Sequence, residues 1–393
     1  MTTDRFVPPD LSLFHLFVRF LRFGFLAFGG PVAQIAMVKQ ALVEEERWIS
    51  PARFNRLLAV MQILPGPEAH ELCVHLGMVA RGRIGGLLAG LGFMLPGFVL
   101  MLVAAWLYED WIAGKPAMAP IFLGIQIAVL AIILRAVQRI GAHILDDMLL
   151  WGVAALSLGA TLAGVPFWIP LAAAGLIYSL AARPLVATAV LVIAAVIAFL
   201  ASDAGPAVKA NVPAPEADVV ALLIAGLKGG LLTFGGAYTA IPYVRADTVG
   251  RGWISDASFL DGVALAGMLP APLVIFATFA GYVAGGLPGA LAITAGMFLP
   301  AFAFSMIFFD RLEAVVENPA MHRVLGGVAA AVVGVIAATL LQLAWVTALR
   351  VSNPAAGSAI FFGAVAVVML VKGKWAAPLL VTVAGAAGWL LRP

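Results

Sequence analysis

The sequence predicts an all-α fold: a polytopic integral membrane protein built from two inverted-topology repeats, with broken, re-entrant helices at FGG and PGP motifs. Three observations predict it. The first is composition. Of 393 residues, 63% are apolar and 11% charged, at a mean hydropathy of +1.06, whereas a soluble domain carries about 25% charged residues to cover its wet surface. The second is duplication. Residues 22–31 read RFGFLAFGGP and residues 228–237 read KGGLLTFGGA, and a match at a spacing of about 206 positions, half the chain, marks an internal repeat. The third is segment length: apolar stretches beside these motifs are too short to cross a bilayer, and those farther along are long enough.

The correspondence runs in the same order through both halves. Trp48-Ile49-Ser50 matches Trp253-Ile254-Ser255, Phe54 matches Phe259, and Leu64-Pro65-Gly66-Pro67 matches Leu269-Pro270-Ala271-Pro272. Gly77, Gly82, Gly85 and Gly92 correspond to Gly281, Gly286, Gly289 and Gly296, and Leu95-Pro96 to Leu299-Pro300.

In chain order, MTTDRFVPPD lacks the cationic region, short apolar core and small-residue cleavage site of a signal peptide, so it is expected to be retained. Residues 11–28 form an apolar helix on which His15, Arg19 and Arg22 share one face. Residues 31–43 make roughly 20 Å of helix against about 30 Å of hydrocarbon and run into Glu44-Glu45-Glu46-Arg47. Residues 52–64 are equally short and end at Pro65-Gly66-Pro67, and residues 68–80 make another half-length helix. Half-helices that meet at FGG and at PGP read as two hairpins that dip into the membrane and return. Broken backbone at that depth is tolerated only where it faces protein or a water-filled cavity.

Ordinary spans follow, and loop charge orients them. Arg81 and Arg83 precede 84–108, Glu109 and Asp110 follow it, 119–140 returns to a loop holding Arg135, Arg139 and His143, and 149–164 leaves again. Residues 166–182 come back to Arg183, and 185–201 end at an acidic linker rich in Pro and Ala. The second copy supplies 287–309, 324–343, 359–371 and 376–391. The segment 185–201 has no counterpart there, and one unpaired span is what inverts a duplicate. The expected organisation is an N-terminal repeat with an extra final span (1–202), a periplasmic linker (203–217) and a C-terminal repeat (218–393). About nine full spans and four broken elements are expected, with a cytoplasmic N-terminus and a periplasmic C-terminus.

FLRFGFLAFGGP, RWIS, LPGPEAHEL and GLLAGLGFMLPGF in the first half, with KGGLLTFGGAYTAIP, WISDASF and LPAP in the second, resemble the chromate ion transporter family in its long-chain, two-domain form. The resemblance covers residues 11–391. It implies a secondary transporter that exports chromate, exchanged or confused with sulfate, across a bacterial inner membrane, powered by the membrane potential or a proton gradient, and so gives chromate resistance. One departure is visible: Ala271 stands where the second PGP would carry glycine, so a glycine hinge is implied only at Gly66.

The residues support anion chemistry without naming the anion. A divalent oxyanion entering hydrocarbon needs counter-charge and several donors, because an unpaired buried charge costs many kcal/mol. Arg22 and Lys228 can supply the charge, each roughly two turns ahead of its glycine pair. Gly29 and Gly30, with Gly235 and Gly236, permit close backbone approach, and the helices opening at Pro31 and Ala237 aim free N–H groups and positive dipole ends at the tips. Two inverted copies bring those tips together near the midplane. The expected substrate-binding set is therefore Arg22, Gly29, Gly30, Lys228, Gly235 and Gly236, with the breaks at Pro65, Gly66, Pro67, Pro270 and Pro272. Glycine pairs also serve plain helix packing, and it is the recurrence of the cation at the same offset that favours binding.

Glu68, His70 and Glu71 have apolar counterparts in Leu273, Ile275 and Phe276. Glu68 and His70 are the coupling candidates, with helix capping as the alternative role of a first-turn carboxylate; His75 extends the line or simply packs. Arg19, opposite Ala225, reads as a structural cation, and Arg53, Arg56, Trp48 and Trp253 as interfacial anchors. Cys73, the only cysteine, reads as a buried thiol and excludes disulfides and thiolate clusters. Walker A, HExxH and dinucleotide signatures are absent, so neither an enzyme nor a cofactor or metal is expected. A formal net charge of +3 from so few charges does not suggest nucleic acid. The expected partners are chromate or a sulfate-like oxyanion and membrane lipid, with a homodimer open. A sulfate transporter, an anion channel and a membrane scaffold subunit are the alternatives, and paired intramembrane cations argue against the last.

The loop charges make a topological forecast. Alkaline phosphatase fused after Pro393 is expected to be active and fused after Arg183 inactive, and the reverse pattern of activity would remove the inverted arrangement.

Overall fold

The computed structural model describes residues 8–61, 65–202, 216–234, 236–308, 319–371 and 376–391, all of them helix or connection with no strand among them. Helix α1 (Leu13–Leu26) starts at Ser12, whose hydroxyl accepts from the His15 N–H at 3.3 Å, and stops at Ala27 where the FGG segment begins. Next come α2 (Gly30–Lys39), which runs on as a π-turn through Gln40–Glu45, and α3 (Pro51–Met61). Both are as short as the sequence requires. Helix α4 (Glu68–Leu107) follows the PGP break.

α4 is two helices rather than one. Arg81 (φ −144°, ψ 30°) and Gly82 (φ 61°, ψ −158°) leave the helical region, and the chain turns back on itself there. Gly77 then lies against the Gly85 carbonyl and the Ala89 methyl, so residues 68–80 run down the face of residues 83–107. Only glycine occupies that Gly82 conformation readily. The second half repeats the device. In α12 (Phe276–Ala303), Gly285 (φ −148°, ψ 24°) and Gly286 (φ 62°, ψ −157°) adopt nearly the same torsions, and Gly281 packs on the Gly289 carbonyl and Ile293. The half-length helix expected at 68–80 and the following span are both present.

The outer helix of each half seats on its long arm in one register. Gly24 of α1 faces the Phe93 carbonyl and Pro96, and Gly92 faces the backbone of Phe17 and Leu21. In α9 (Val219–Leu231), Gly230 faces the Met297 carbonyl and Pro300, and Gly296 faces the backbone of Leu223 and Leu227. Small residues permit this backbone-to-backbone approach, which gives dispersion contact where lipid supplies no hydrophobic drive between helices. The hairpin of α10 (Ala240–Thr248) and α11 (Asp256–Met268) then leads into α12.

The remaining helices surround this frame. They are α5 (Ala119–Ile144), α6 (Met148–Leu162), α7 (Trp168–Ser179), α8 (Pro184–Ser202), α13 (Pro319–Ala348), α14 (Pro354–Leu370) and α15 (Ala376–Ala387). α13 fills the groove formed by α5, α6 and α7, with Gly327 on the Ala174 carbonyl and Gly334 on that of Ala154. Asp147 caps α6: its carboxylate accepts from the Leu150 N–H and the Tyr178 hydroxyl, both at 2.8 Å, which holds it below the usual carboxylate range. α8 leans on α7 and exposes Leu185, Ile193, Phe199 and Leu200, a surface suited to lipid rather than water.

Four described stretches are long and apolar enough to cross a membrane: Glu68–Ile112, Ala119–Ile144, Leu273–Ile307 and Met321–Ala348. The first and third owe part of their length to the folded-back arms, yet residues 83–107 alone reach roughly 37 Å. The span expected at 166–182 is shorter: α7 has 12 residues. Two further expectations change. Arg135 and Arg139 are not in a loop, since α5 stays helical to Ile144 and the connection shrinks to 145–147. Trp48 is not an interfacial anchor but wholly buried, its ring edge-on to Phe20 at 6.3 Å and its N–H donating to Glu46 at 2.9 Å. Asp310, Arg311, Lys372, Lys374 and most of the linker at 203–215 lie outside the described residues.

Backbone contact and backbone strain separate in three variants. Gly230→Ala drives a methyl into the Met297 carbonyl and Pro300, and Gly82→Ala strains a left-handed residue in open space; each is expected to cost about 1–3 kcal/mol. Gly152→Ala, with open space and ordinary torsions, is the control. Thermal unfolding of purified protein in detergent should show lower midpoints for the first two variants and an unchanged one for the third.

Candidate functional site

The four broken segments meet in a crossed arrangement. In the first half α1 ends at Ala27, and Gly29 (φ 89°) and Gly30 (φ 78°) turn the chain into α2, whose first turn carries Pro31. In the second half Gly236 (φ 121°) turns the chain into a 3₁₀ turn at Ala237–Thr239 before α10. Gly235 lies outside the described residues. Pro65, Gly66 and Pro67 are buried, as are Pro270, Ala271 and Pro272.

Each proline break is seated on the other half. The Gly66 N–H donates to the Thr233 carbonyl at 2.8 Å, and Gly66 lies beside Ala301. The reciprocal contact uses a side chain: Gln34 of α2 donates from Nε2 to the Ala27 carbonyl at 2.8 Å and to the Ala271 carbonyl at 2.9 Å. Ala271 in turn packs on Gly97. Ala27 and Thr233, Gly66 and Ala271, and Gly97 and Ala301 are matched positions of the sequence duplication. The seam therefore pairs AFGG of one half with PAP of the other, and TFGG with PGP. Carbonyls and N–H groups freed at the breaks find partners across the molecule.

The two expected cations are not neighbours, because α1 packs on α4 and α9 on α12, and α4 and α12 pack on each other between them. Arg22 is exposed and lines a cavity of about 520 Å³ with His15, Arg19, Gln40, Glu45 and Glu46. Arg19 pairs with Glu46 and lies 5.9 Å from the Phe23 and Trp48 rings, which makes it structural. Arg22 itself makes no hydrogen bond or ion pair among the described residues. Lys228 is held by Asp247 at 2.6 Å and sits 5.6 Å from the Phe167 ring, with Arg251 3.3 Å from the same carboxylate. Position 41, the counterpart of Asp247, is alanine, so the arginine of the first half has no such partner.

The titratable run after PGP lies against the second half. His70 is fully buried with its ring edge-on to Phe298 at 4.9 Å and Phe302 at 4.8 Å, and the Gly90 carbonyl faces it without good hydrogen-bond geometry. Glu71 is buried beside Gly66 with no donor on either carboxylate oxygen among the described residues. Glu68 is half-buried in the first turn of α4 and close enough to Arg139 to feel its charge. Sequence reasoning passed over Gln34, Asp247 and Arg139. A lone glutamine four residues past the glycine pair in an apolar half-helix was a usable signal for the first. The other two have none: Arg139 faces Glu68, which lies far back along the chain, and nothing local ties Asp247 to Lys228 rather than to Arg251.

A helical, multi-pass membrane protein whose interrupted helices pair across two matched halves has the construction of a membrane transporter. The Chromate transporter family matches residues 14–210 and 220–389, and the chain belongs to that family. It is 56% identical over 397 residues to the chromate transport protein of Pseudomonas aeruginosa, covering 100% of this chain and 95% of that one. It is 32% identical to the chromate transport protein of Cupriavidus metallidurans (86% and 84% covered), and 29% identical to a probable chromate transport protein of Synechococcus elongatus (86% and 86%). No solved structure matches the chain.

Gln34 is the testable joint of the seam. Gln34→Leu leaves the Ala27 and Ala271 carbonyls without their donor, a loss of about 1–3 kcal/mol for each buried group. Hydrogen exchange of the purified variant should quicken at residues 27–34 and 271–276, with residues 119–144 unchanged; uniform exchange across the molecule would contradict a local role.

Proposed function

We propose that the chain is a secondary transporter that exports chromate across the bacterial inner membrane and so gives chromate resistance. The observation that carries this reading is the full-length membership in a transporter family, with 56% identity to a chromate transport protein. Two inverted-topology repeats, 1–202 and 218–393 joined by a periplasmic linker, would form it. The near-equal torsions at Arg81-Gly82 and Gly285-Gly286 and the reciprocal seam support that pairing. The N-terminus would be cytoplasmic and the C-terminus periplasmic.

In this reading the crossed breaks form the barrier between the two sides, and Arg22 and Lys228 meet the anion on opposite flanks of it. Arg22 stands free in its cavity and offers a planar fork of donors. Lys228 must exchange Asp247 for the oxyanion, so a carboxylate stands where the substrate would bind. Glu68 and His70 are the coupling groups of the first half, where a proton can reach the seam.

Reconstitution tests the whole. Purified protein in vesicles is offered radiolabelled chromate and sulfate, with a membrane potential, a pH gradient or neither. Chromate uptake that depends on the imposed gradient is expected; passive flux would make the protein a channel, and preference for sulfate would change the substrate. Arg22→Gln and Lys228→Gln should each weaken oxyanion binding by about 2–4 kcal/mol per folded protein, since each removes a charge-assisted partner from a desolvated dianion. Unchanged binding in both would take these residues out of the site.

A further inference from the structure

Asp261 is a buried carboxylate that the transport reading leaves unused. It lies on α11, nine residues before Pro270, and only 3% of it is exposed. The Tyr108 hydroxyl donates to Oδ2 at 2.8 Å, and Gln126 of α5, itself buried, donates from Nε2 to Oδ1 at 2.7 Å. The Arg350 guanidinium, at the exposed end of α13, donates to Gln126 Oε1 at 2.8 Å and stays one residue away from the carboxylate. The first-half counterpart of Asp261 is the exposed Arg56, so this carboxylate is not part of the common frame.

The neutrality of its direct partners is the informative feature. A carboxylate kept permanently ionised in a membrane is met by a cation at contact distance. Asp261 is met instead by an amide and a phenol, and a phenol can donate to a carboxylate or accept from a carboxylic acid. Both protonation states therefore fit without moving a side chain: with a proton on Oδ2, Asp261 donates to Tyr108, while Gln126 donates to Oδ1 throughout. Tyr108 also has a path outward. Its hydroxyl neighbours that of Ser258, which lies 2.9 Å from the hydroxyl of exposed Ser255 at the start of α11. The other groups around the site are Glu109 beside Tyr108 and Arg350 beyond Gln126; of the helices that face α11, α12 carries Tyr282 and no acid or base, and α15 carries no ionisable side chain, among their described residues.

We infer that Asp261 is a proton-loading site of the second half, filled from solvent through the hydroxyls of Ser255, Ser258 and Tyr108. In loading, Ser258 hands a proton to the Tyr108 oxygen as the phenolic proton passes to Asp261 Oδ2; Ser258 is refilled through Ser255, and unloading reverses each transfer. The proton arrives on α11, the helix that runs directly into the Pro270–Pro272 break, which ties its occupancy to the seam. This inference rests on the proton-coupled form of the transporter reading above.

The experiment uses purified full-length protein in vesicles and compares chromate uptake driven by a pH gradient with chromate exchange in the absence of any gradient. Asp261→Asn and Tyr108→Phe should each lower gradient-driven uptake about tenfold or more, the scale of losing one proton-transfer group, and leave exchange at wild-type rates. Tyr108→Phe keeps the ring contacts with Phe122 and Phe279, so it carries the test if the asparagine variant folds poorly. The infrared carbonyl stretch of a protonated carboxyl should titrate in wild type and vanish in Asp261→Asn. A coupled wild type whose two variants keep gradient-driven uptake, or lose uptake and exchange together, overturns the assignment of Asp261. A wild type with no gradient-driven uptake overturns proton coupling itself, and this site falls with it.

Discussion

An interrupted helix frees backbone N–H and carbonyl groups that lipid cannot satisfy, and the chain is interrupted at FGG and at the proline break of each half. The crossed hydrogen bonds from Gly66 to Thr233 and from Gln34 to Ala27 and Ala271 are how the described residues meet that requirement. Neither half can do so alone, because each proline break takes its partner from the other. The same constraint explains the glycine and alanine facing each break: Gly97 and Ala301 let the opposite backbone come close enough to bond. The seam is therefore rigid in its hydrogen bonding yet made of short, interrupted pieces.

The two halves share a backbone frame and differ in charge. Torsions at Gly82 and Gly286 nearly coincide, and the contacts of Gly24 and Gly230 are superimposable in kind. These are backbone contacts, indifferent to the side chains that point elsewhere, so the frame tolerated divergence around it. The first half keeps Glu68, His70 and Glu71 after its break where the second has Leu273, Ile275 and Phe276. The second half alone places a carboxylate on its cation, Asp247 on Lys228, and another inside α11 at Asp261. The two halves thus combine near-equal backbone scaffolds with unequal electrostatics.

Membership of the all-α membrane class, the short helices beside FGG and PGP, and the return at Arg81-Gly82 follow from the sequence by itself. They depend on local properties: hydropathy, segment length against bilayer thickness, and the torsions only glycine tolerates. That the chain breaks at PGP and FGG was likewise legible, because proline and positive-φ glycine interrupt a helix. What only the tertiary structure decided is partnership. No pattern along the chain says that Gly66 bonds to Thr233 rather than within its own half, that Lys228 is held by Asp247 while Arg22 has no ion pair among the described residues, that Trp48 is core, or that Tyr108, Gln126 and Asp261 from three helices share one buried cluster. Those contacts join residues up to hundreds of positions apart, and in a uniformly apolar sequence helix-to-helix pairing is set by the fit of small residues and polar groups across interfaces that hydropathy cannot tell apart.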